Sequence, residues 1–193
     1  MTNLDLDRSA AELRHHGETF PGGEHFRVAD LTDLQRFLLA TDGTVTPALA
    51  AYLGEPIGVR VLRQEFVTVD RAHPALALRR GRPRLERSVV LFGRQSGTAV
   101  LYADSWIALE RVTSRVRDDL LSGELPIGLV LRRHRIETFR EWLGTGRRIA
   151  TPEVVAQLGP TEVCWRTYAV ISGGRPMIVV HEEFPVHPAS LVA

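Results

Sequence analysis

The sequence predicts an α+β domain, a single antiparallel β-sheet flanked by helices. Three observations carry this. Apolar residues recur at helical spacing over residues 31–53 and then switch to a period of two at Ile57. Two glycine-bearing turns, Gly93-Arg94-Gln95-Ser96-Gly97 and Ser172-Gly173-Gly174, each join two alternating runs, as β-hairpins require. Helical segments fall between the hairpins instead of after every strand, which favours antiparallel pairing over βαβ units.

Residues 1–29 read as a polar arm ahead of one domain over residues 30–193. His15, His16 and His25 lie in the arm beside a Pro21-Gly22-Gly23 break. Adjacent histidine rings diverge on a helix, and neither a cysteine partner nor an HExxH pattern is present, so a solvated arm fits better than a metal site. The first firm element starts at Thr32, where Thr32-Asp33-Leu34-Gln35 fits a capping box and Leu31, Leu34, Leu38 and Leu39 form a helical stripe. It stops at Thr41-Asp42-Gly43. Thr46-Pro47 supplies an N-cap and a first-turn proline for a short helix through Leu53, ended by Gly54.

Ile57 to Val69 alternates and reads as a long strand. Residues 71–84, rich in Arg and Pro, read as a surface loop. Leu85 to Phe92 and Thr98 to Leu109 form the first hairpin. Residues 112–122 read as a helix ended by Gly123, and Pro126-Ile127-Gly128 opens another that runs to about Trp142. Residues 152–158 read as a short helix, and Val163 to Ile171 with Arg175 to Phe184 as the closing hairpin.

Composition narrows the function. The chain has 193 residues, 44% of them hydrophobic, enough for a real core. A net charge of +1 removes the electrostatic case for nucleic acid or an anionic membrane. The single cysteine, Cys164, cannot form an internal disulfide, and its strand offers no neighbouring histidine to activate it, so a buried structural thiol is expected. With neither a signal peptide nor an apolar run of about 20 residues, a cytoplasmic protein is expected; a monomer is taken as the working expectation, though no sequence feature reads the oligomeric state. Every basic residue is arginine. The absence of lysine excludes Schiff-base chemistry and a Walker-type phosphate loop, and no GxGxxG or GxSxG is present.

Strand alternation nominates two charges. Leu85, Arg87, Val89 and Leu91 share one face of their strand, so Arg87 interrupts an aliphatic row. Ile178, Val180, Glu182 and Phe184 share one face of the last strand, with His181 and Glu183 on the other. Burying either charge unpaired costs several kcal/mol, so each needs a partner. Two readings compete: Arg87 and Glu182 pair with each other or with backbone, or they line a small cavity, the arginine for a carboxylate and the glutamic acid, its pKa raised, for proton work. Backbone N–H groups at the helix starts around Thr44 and Val45, and at Ile127 and Gly128, suit an anion or simple capping. Arg166, on a face with Tyr168 and Val170, is either a second anion contact or an edge residue.

The ordered set of stretches then resembles a known family. It runs Leu38-Leu39-Ala40-Thr41-Asp42-Gly43-Thr44-Val45-Thr46, the Arg87 strand, Phe92-Gly93-Arg94-Gln95-Ser96, Pro126-Ile127-Gly128 and Arg135-Ile136-Glu137-Thr138-Phe139. Tyr168 to Pro176 and Val179-Val180-His181-Glu182-Glu183-Phe184-Pro185 complete it. From about residue 31 to 186 the chain is similar to the chorismate pyruvate-lyases, most of all the divergent bacterial branch that makes 4-hydroxybenzoate for aromatic glycolipids.

The resemblance implies an antiparallel sheet flanked by helices and elimination of pyruvate from chorismate without metal or organic cofactor. The family's carboxylate-binding arginine falls on Arg87 and its catalytic glutamate on Glu182, as general acid or hydrogen-bond partner of the C4 oxygen. One extra residue after Pro176 leaves Glu183 as the alternative. The family's Pro-Leu-Gly, whose backbone N–H binds product, becomes Pro-Ile-Gly at Ile127, and a covering methionine becomes Val45. Two rivals follow. The fold also resembles effector-binding domains of transcription regulators, which would make this a non-catalytic binder of aromatic carboxylates; about 30 N-terminal residues leave no room for the DNA-binding domain that normally precedes them. A lyase for another chorismate-derived substrate is the second rival, because the wall at Val45 and Ile127 differs.

Overall fold

The computed structural model describes residues 31–159 and 161–185. The arm at residues 1–29 and its histidines lie outside the described residues. Thr32 caps α1 (Asp33–Ala40) by the expected reciprocal box: its hydroxyl accepts from the Gln35 N–H at 3.3 Å, and the Gln35 amide oxygen accepts from the Thr32 N–H at 2.8 Å. Gln35 also donates to the Pro185 carbonyl at 3.1 Å, tying α1 to the end of the last strand. Helix α2 (Val45–Leu53) starts two residues earlier than Thr46-Pro47 suggests. Its N-cap is Thr44, so Thr46 sits inside the first turn, buried.

Six strands follow: β1 (Ile57–Thr68), β2 (Pro83–Gly93), β3 (Ala99–Ile107), β4 (Phe139–Ile149), β5 (Glu162–Ser172) and β6 (Arg175–Pro185). They form one sheet in the order β1-β2-β3-β6-β5-β4, every pairing antiparallel. After β3 the chain runs through α3 (Ser114–Ser122) and α4 (Ile127–Arg133) to the far edge, then returns so that β6 closes against β3. Helices α1 to α4 cover one face, over a core that includes Leu39, Leu85, Leu101, Ile107, Leu120 and Ile178. Each such side chain contributes about 1.5–3 kcal/mol by leaving water. The other face carries α5 (Pro152–Leu158) through Val154 and Leu158, beside a separate cluster around Leu76 and Leu78. Cys164 is buried in the helix-side core. Among the described residues no helix is long and apolar enough to cross a membrane.

Three elements depart from the sequence reading. Residues 71–84 are more than a surface loop: His73, Leu76 and Leu78 are buried, in and around a 3-10 turn at Pro74–Leu76 held by a hydrogen bond from the Leu76 N–H to His73 Nδ1. The first hairpin's second strand ends at Ile107, and Leu109–Arg111 is a 3-10 turn. The helix expected to reach Trp142 stops at Arg133, and residues 139–149 are strand. Here the Arg135 N–H bonds the Arg132 carbonyl and the Ile136 N–H bonds the Leu131 carbonyl, a Schellman ending in which Arg135 takes the left-handed conformation (φ 51°). An arginine at the position glycine usually fills leaves no sequence signal for the stop. Gly146 within β4 has a direct packing reason, since a side chain there would collide with the Trp165 indole of β5.

Candidate active site

Register places the two nominated charges on one sheet face. Arg87 of β2 pairs with Ser105 of β3, and Glu182 of β6 pairs with Ala103, two residues along the same strand. Sheet spacing then separates their Cα atoms by about 12 Å across β3. The gap is a cavity walled by aliphatic side chains including Val89, Leu101, Val170 and Val180, and both Arg87 and Glu182 line it. They do not pair with each other.

Arg87 is 1% exposed, yet only its Nη2 has partners, the Gly123 and Leu125 carbonyls at 3.5 and 3.3 Å. Its Nε and Nη1 are buried without a hydrogen bond, and burial pulls its pKa down to about 10. An unpaired, desolvated guanidinium in an apolar wall is costly unless an anion meets it.

Glu182 is not an isolated carboxyl. Its Oε2 accepts from Arg166 Nε at 2.6 Å and its Oε1 from the Tyr168 hydroxyl at 2.9 Å. Arg166 is fully buried and also donates to the Leu38 and Thr41 carbonyls at the end of α1. It is therefore neither an edge residue nor part of the cavity wall, but the counter-ion of Glu182. Burial, then the neighbouring Glu182 charge, push the Tyr168 phenol above its usual value, so Tyr168 is a neutral donor. Glu183 points to the opposite face, where His181 at 3.0 Å and Arg148 hold it; burial acts against this charge, but the hydrogen bond to His181 and the contact with Arg148 outweigh it and its pKa falls.

Two helix starts close the cavity. Thr44 and Val45 open α2; Ile127 and Gly128 open α4, and all four line the space. First-turn N–H groups such as those of Ile127 and Gly128 have no carbonyl a turn earlier to bond. Gly128 allows the two helix starts to approach closely, because a Cβ on it would overlap the Thr44 side chain.

Two contributors escaped the sequence reading. Tyr168 was visible only as a neighbour of Arg166 on a strand face. Arg140 lines the cavity and an adjoining surface pocket, but the sequence reading carries a helix to about Trp142; Phe139-Arg140-Glu141-Trp142 does not alternate apolar with polar residues, so no period-two signal marks the start of β4. Among the described residues no three His, Cys, Asp or Glu side chains gather as a metal site.

Comparison with known proteins identifies the family. The family model described as Chorismate pyruvate-lyase Rv2949c-like matches residues 39–191. The chain is 32% identical over 158 residues to a chorismate pyruvate-lyase of Mycobacterium leprae, covering 77% of this chain and 72% of that protein. It is 30% identical over 168 residues to a chorismate pyruvate-lyase of Mycobacterium tuberculosis, covering 77% and 78%. Among solved structures, the effector domain of PhnF from Mycobacterium smegmatis superposes with a TM-score of 0.59 at 17% identity, over 74% of this chain and 88% of that one. That likeness is one of fold alone.

Proposed function

The chain belongs to the Rv2949c-like chorismate pyruvate-lyase family, and from that premise we propose that it splits chorismate into 4-hydroxybenzoate and pyruvate in the cavity between Arg87 and Glu182. The observation that carries the reading is Arg87 itself. A buried arginine with two unbonded nitrogens and, among the described residues, no counter-ion is costly unless a ligand anion completes it.

Chorismate bears a ring carboxylate at C1, an enolpyruvyl ether at C3 and a hydroxyl at C4. Arg87 takes the ring carboxylate, with the N–H groups of Ile127 and Gly128 as further donors, while Thr44 and Val45 cover the ring. Each Glu182 oxygen keeps a lone pair beyond those used by Arg166 and Tyr168, and one accepts from the C4 hydroxyl. The C4 hydrogen then passes to the methylene carbon of the enolpyruvyl group as the C3–O bond breaks. The C4–H electron pair becomes the third ring double bond, and the ether oxygen becomes the keto oxygen of pyruvate. Aromatisation drives the step, and no outside base enters the balance.

Purified protein incubated with chorismate should yield 4-hydroxybenzoate and pyruvate in equal amounts by liquid chromatography. Unchanged chorismate from protein that binds 4-hydroxybenzoate would overturn the lyase in favour of a binding module. With chorismate deuterated at C4, direct transfer carries the label into the pyruvate methyl group; unlabelled pyruvate would instead place the proton transfer through protein or solvent.

A further inference from the structure

Building on that reading, we infer that Arg140 is the specificity residue that binds the second carboxylate of the substrate, the one on the enolpyruvyl group. The proposal starts from a charge count. Of the two buried cations near the site, Arg166 is committed to Glu182 and lies outside the cavity wall, and Arg87 is matched to the ring carboxylate. A dianionic substrate leaves one negative charge unanswered. Arg140 is the other arginine that lines the cavity.

Its position agrees with the substrate's connectivity. The enolpyruvyl ether is attached at C3, next to the C4 hydroxyl, so with C4 at Glu182 the side-chain carboxylate must lie at the Glu182 end. Arg140 is at that end. Its guanidinium stacks 5.3 Å from the centre of the Tyr168 ring, and the hydroxyl of that ring donates to Glu182. Arg140 also lines the mouth that adjoins the cavity through Thr44, Gly128 and Leu131, so it stands where the side chain of a seated ring would project outward. One of its nitrogens, Nη1, donates to the Asp42 carbonyl, which fixes the fork, while Nε is buried and has no hydrogen-bond partner. A fixed guanidinium with an unused donor is pre-organised for a carboxylate.

The test uses a difference between substrate and product: 4-hydroxybenzoate lacks the second carboxylate. Arg140→Gln should lower kcat/KM for chorismate roughly 30-fold while the Kd for 4-hydroxybenzoate stays within about twofold, and Arg140→Lys should recover part of the loss. An equal loss for both ligands, or no loss for chorismate, would overturn the assignment. A second measurement needs no variant. On the wild-type protein, 4-hydroxybenzoate carrying a carboxymethoxy group at ring position 3 should bind about tenfold more tightly than the corresponding neutral amide; equal affinities would likewise overturn it. If wild-type protein leaves chorismate unchanged, the lyase reading fails and takes this one with it. If chorismate is consumed but Arg140 makes no distinction, only the present inference falls.

Discussion

Arg166 and Glu182 face each other across β5 and β6, Nε to Oε2 at 2.6 Å, both out of water and in direct register. Glu182 lines the cavity, while Arg166, outside its wall, ties it to the end of α1 and stacks 5.4 Å from the Trp142 ring. In the proposed reaction, a structural and a chemical role are therefore joined in one ion pair. Any substitution of Glu182 strands a buried arginine, so lost activity in Glu182→Gln mixes chemistry with stability.

The pair makes a direct prediction. Arg166→Met should destabilise by about 3–5 kcal/mol, because it leaves the Glu182 carboxylate buried without its counter-ion. The double variant Arg166→Met with Glu182→Leu should recover most of that loss while remaining inactive. Urea denaturation of the wild type, both single variants and the double variant measures the coupling. Additive losses would mean that the two charges do not depend on each other.

Tyr168→Phe isolates the chemistry more cleanly. It removes one donor to Glu182 but keeps the ring on which Arg140 and Arg166 stack. We expect kcat to fall about tenfold with KM changed far less, and stability to fall by about 1 kcal/mol. A rise in KM alone would assign Tyr168 to substrate holding rather than to orienting Glu182.

Arg87 should behave in the opposite way to Arg166. It has no ion-pair partner among the described residues, and its desolvation penalty is present in full at neutral pH. Arg87→Met should thus be neutral or stabilising by about 1 kcal/mol while affinity for benzoate collapses. The lowered pKa adds a pH signature. Because the ligand needs the charged guanidinium, wild-type affinity for benzoate should be flat through neutral pH and weaken as pH climbs through about 10, well below the usual arginine range. Calorimetric titration over that range checks it. A large loss of stability in Arg87→Met would make Arg87 a residue that holds the fold.

How far this site was legible in the sequence follows from which signals are local. Arg87 and Glu182 stood out because strand alternation is a two-residue rule and each charge breaks an apolar row. The same rule gave the hairpins and the separation of Glu182 from Glu183. Arg166 obeyed that rule too, but its partner lies across the ladder, and register is set by tertiary pairing that one strand does not encode. Arg140 was lost for a different reason. The Schellman stop ahead of β4 uses Arg135 where a glycine would have announced it, and an Arg-rich edge strand looks like the exposed side of a helix. Buried Leu76 and Leu78 were hidden in the same way, by the arginines and prolines around them.

The two helix starts that close the cavity meet where Gly128 lies against Thr44. At Gly128 an added Cβ would stand 3.0 Å from Thr44 Oγ1 and 3.2 Å from Thr44 Cβ, and would overlap Thr44 Cγ2 outright. Thr44 is the N-cap of α2 and its side chain makes no capping hydrogen bond, so moving it costs little locally. What must shift is the approach of α2 to α4, and with it the part of the cavity wall that Val45 and Ile127 form. Gly128→Ala should therefore weaken binding of 4-hydroxybenzoate about tenfold while destabilising the fold by only about 1–2 kcal/mol. Thr44→Ser removes the methyl that collides. Combined with Gly128→Ala it should restore much of the affinity, though Thr44→Ser alone changes little. That non-additivity is the signature of a direct steric contact between two helix starts. Independent effects in the four-way comparison would mean that Gly128 serves backbone conformation alone and that the α2–α4 contact does not shape the cavity.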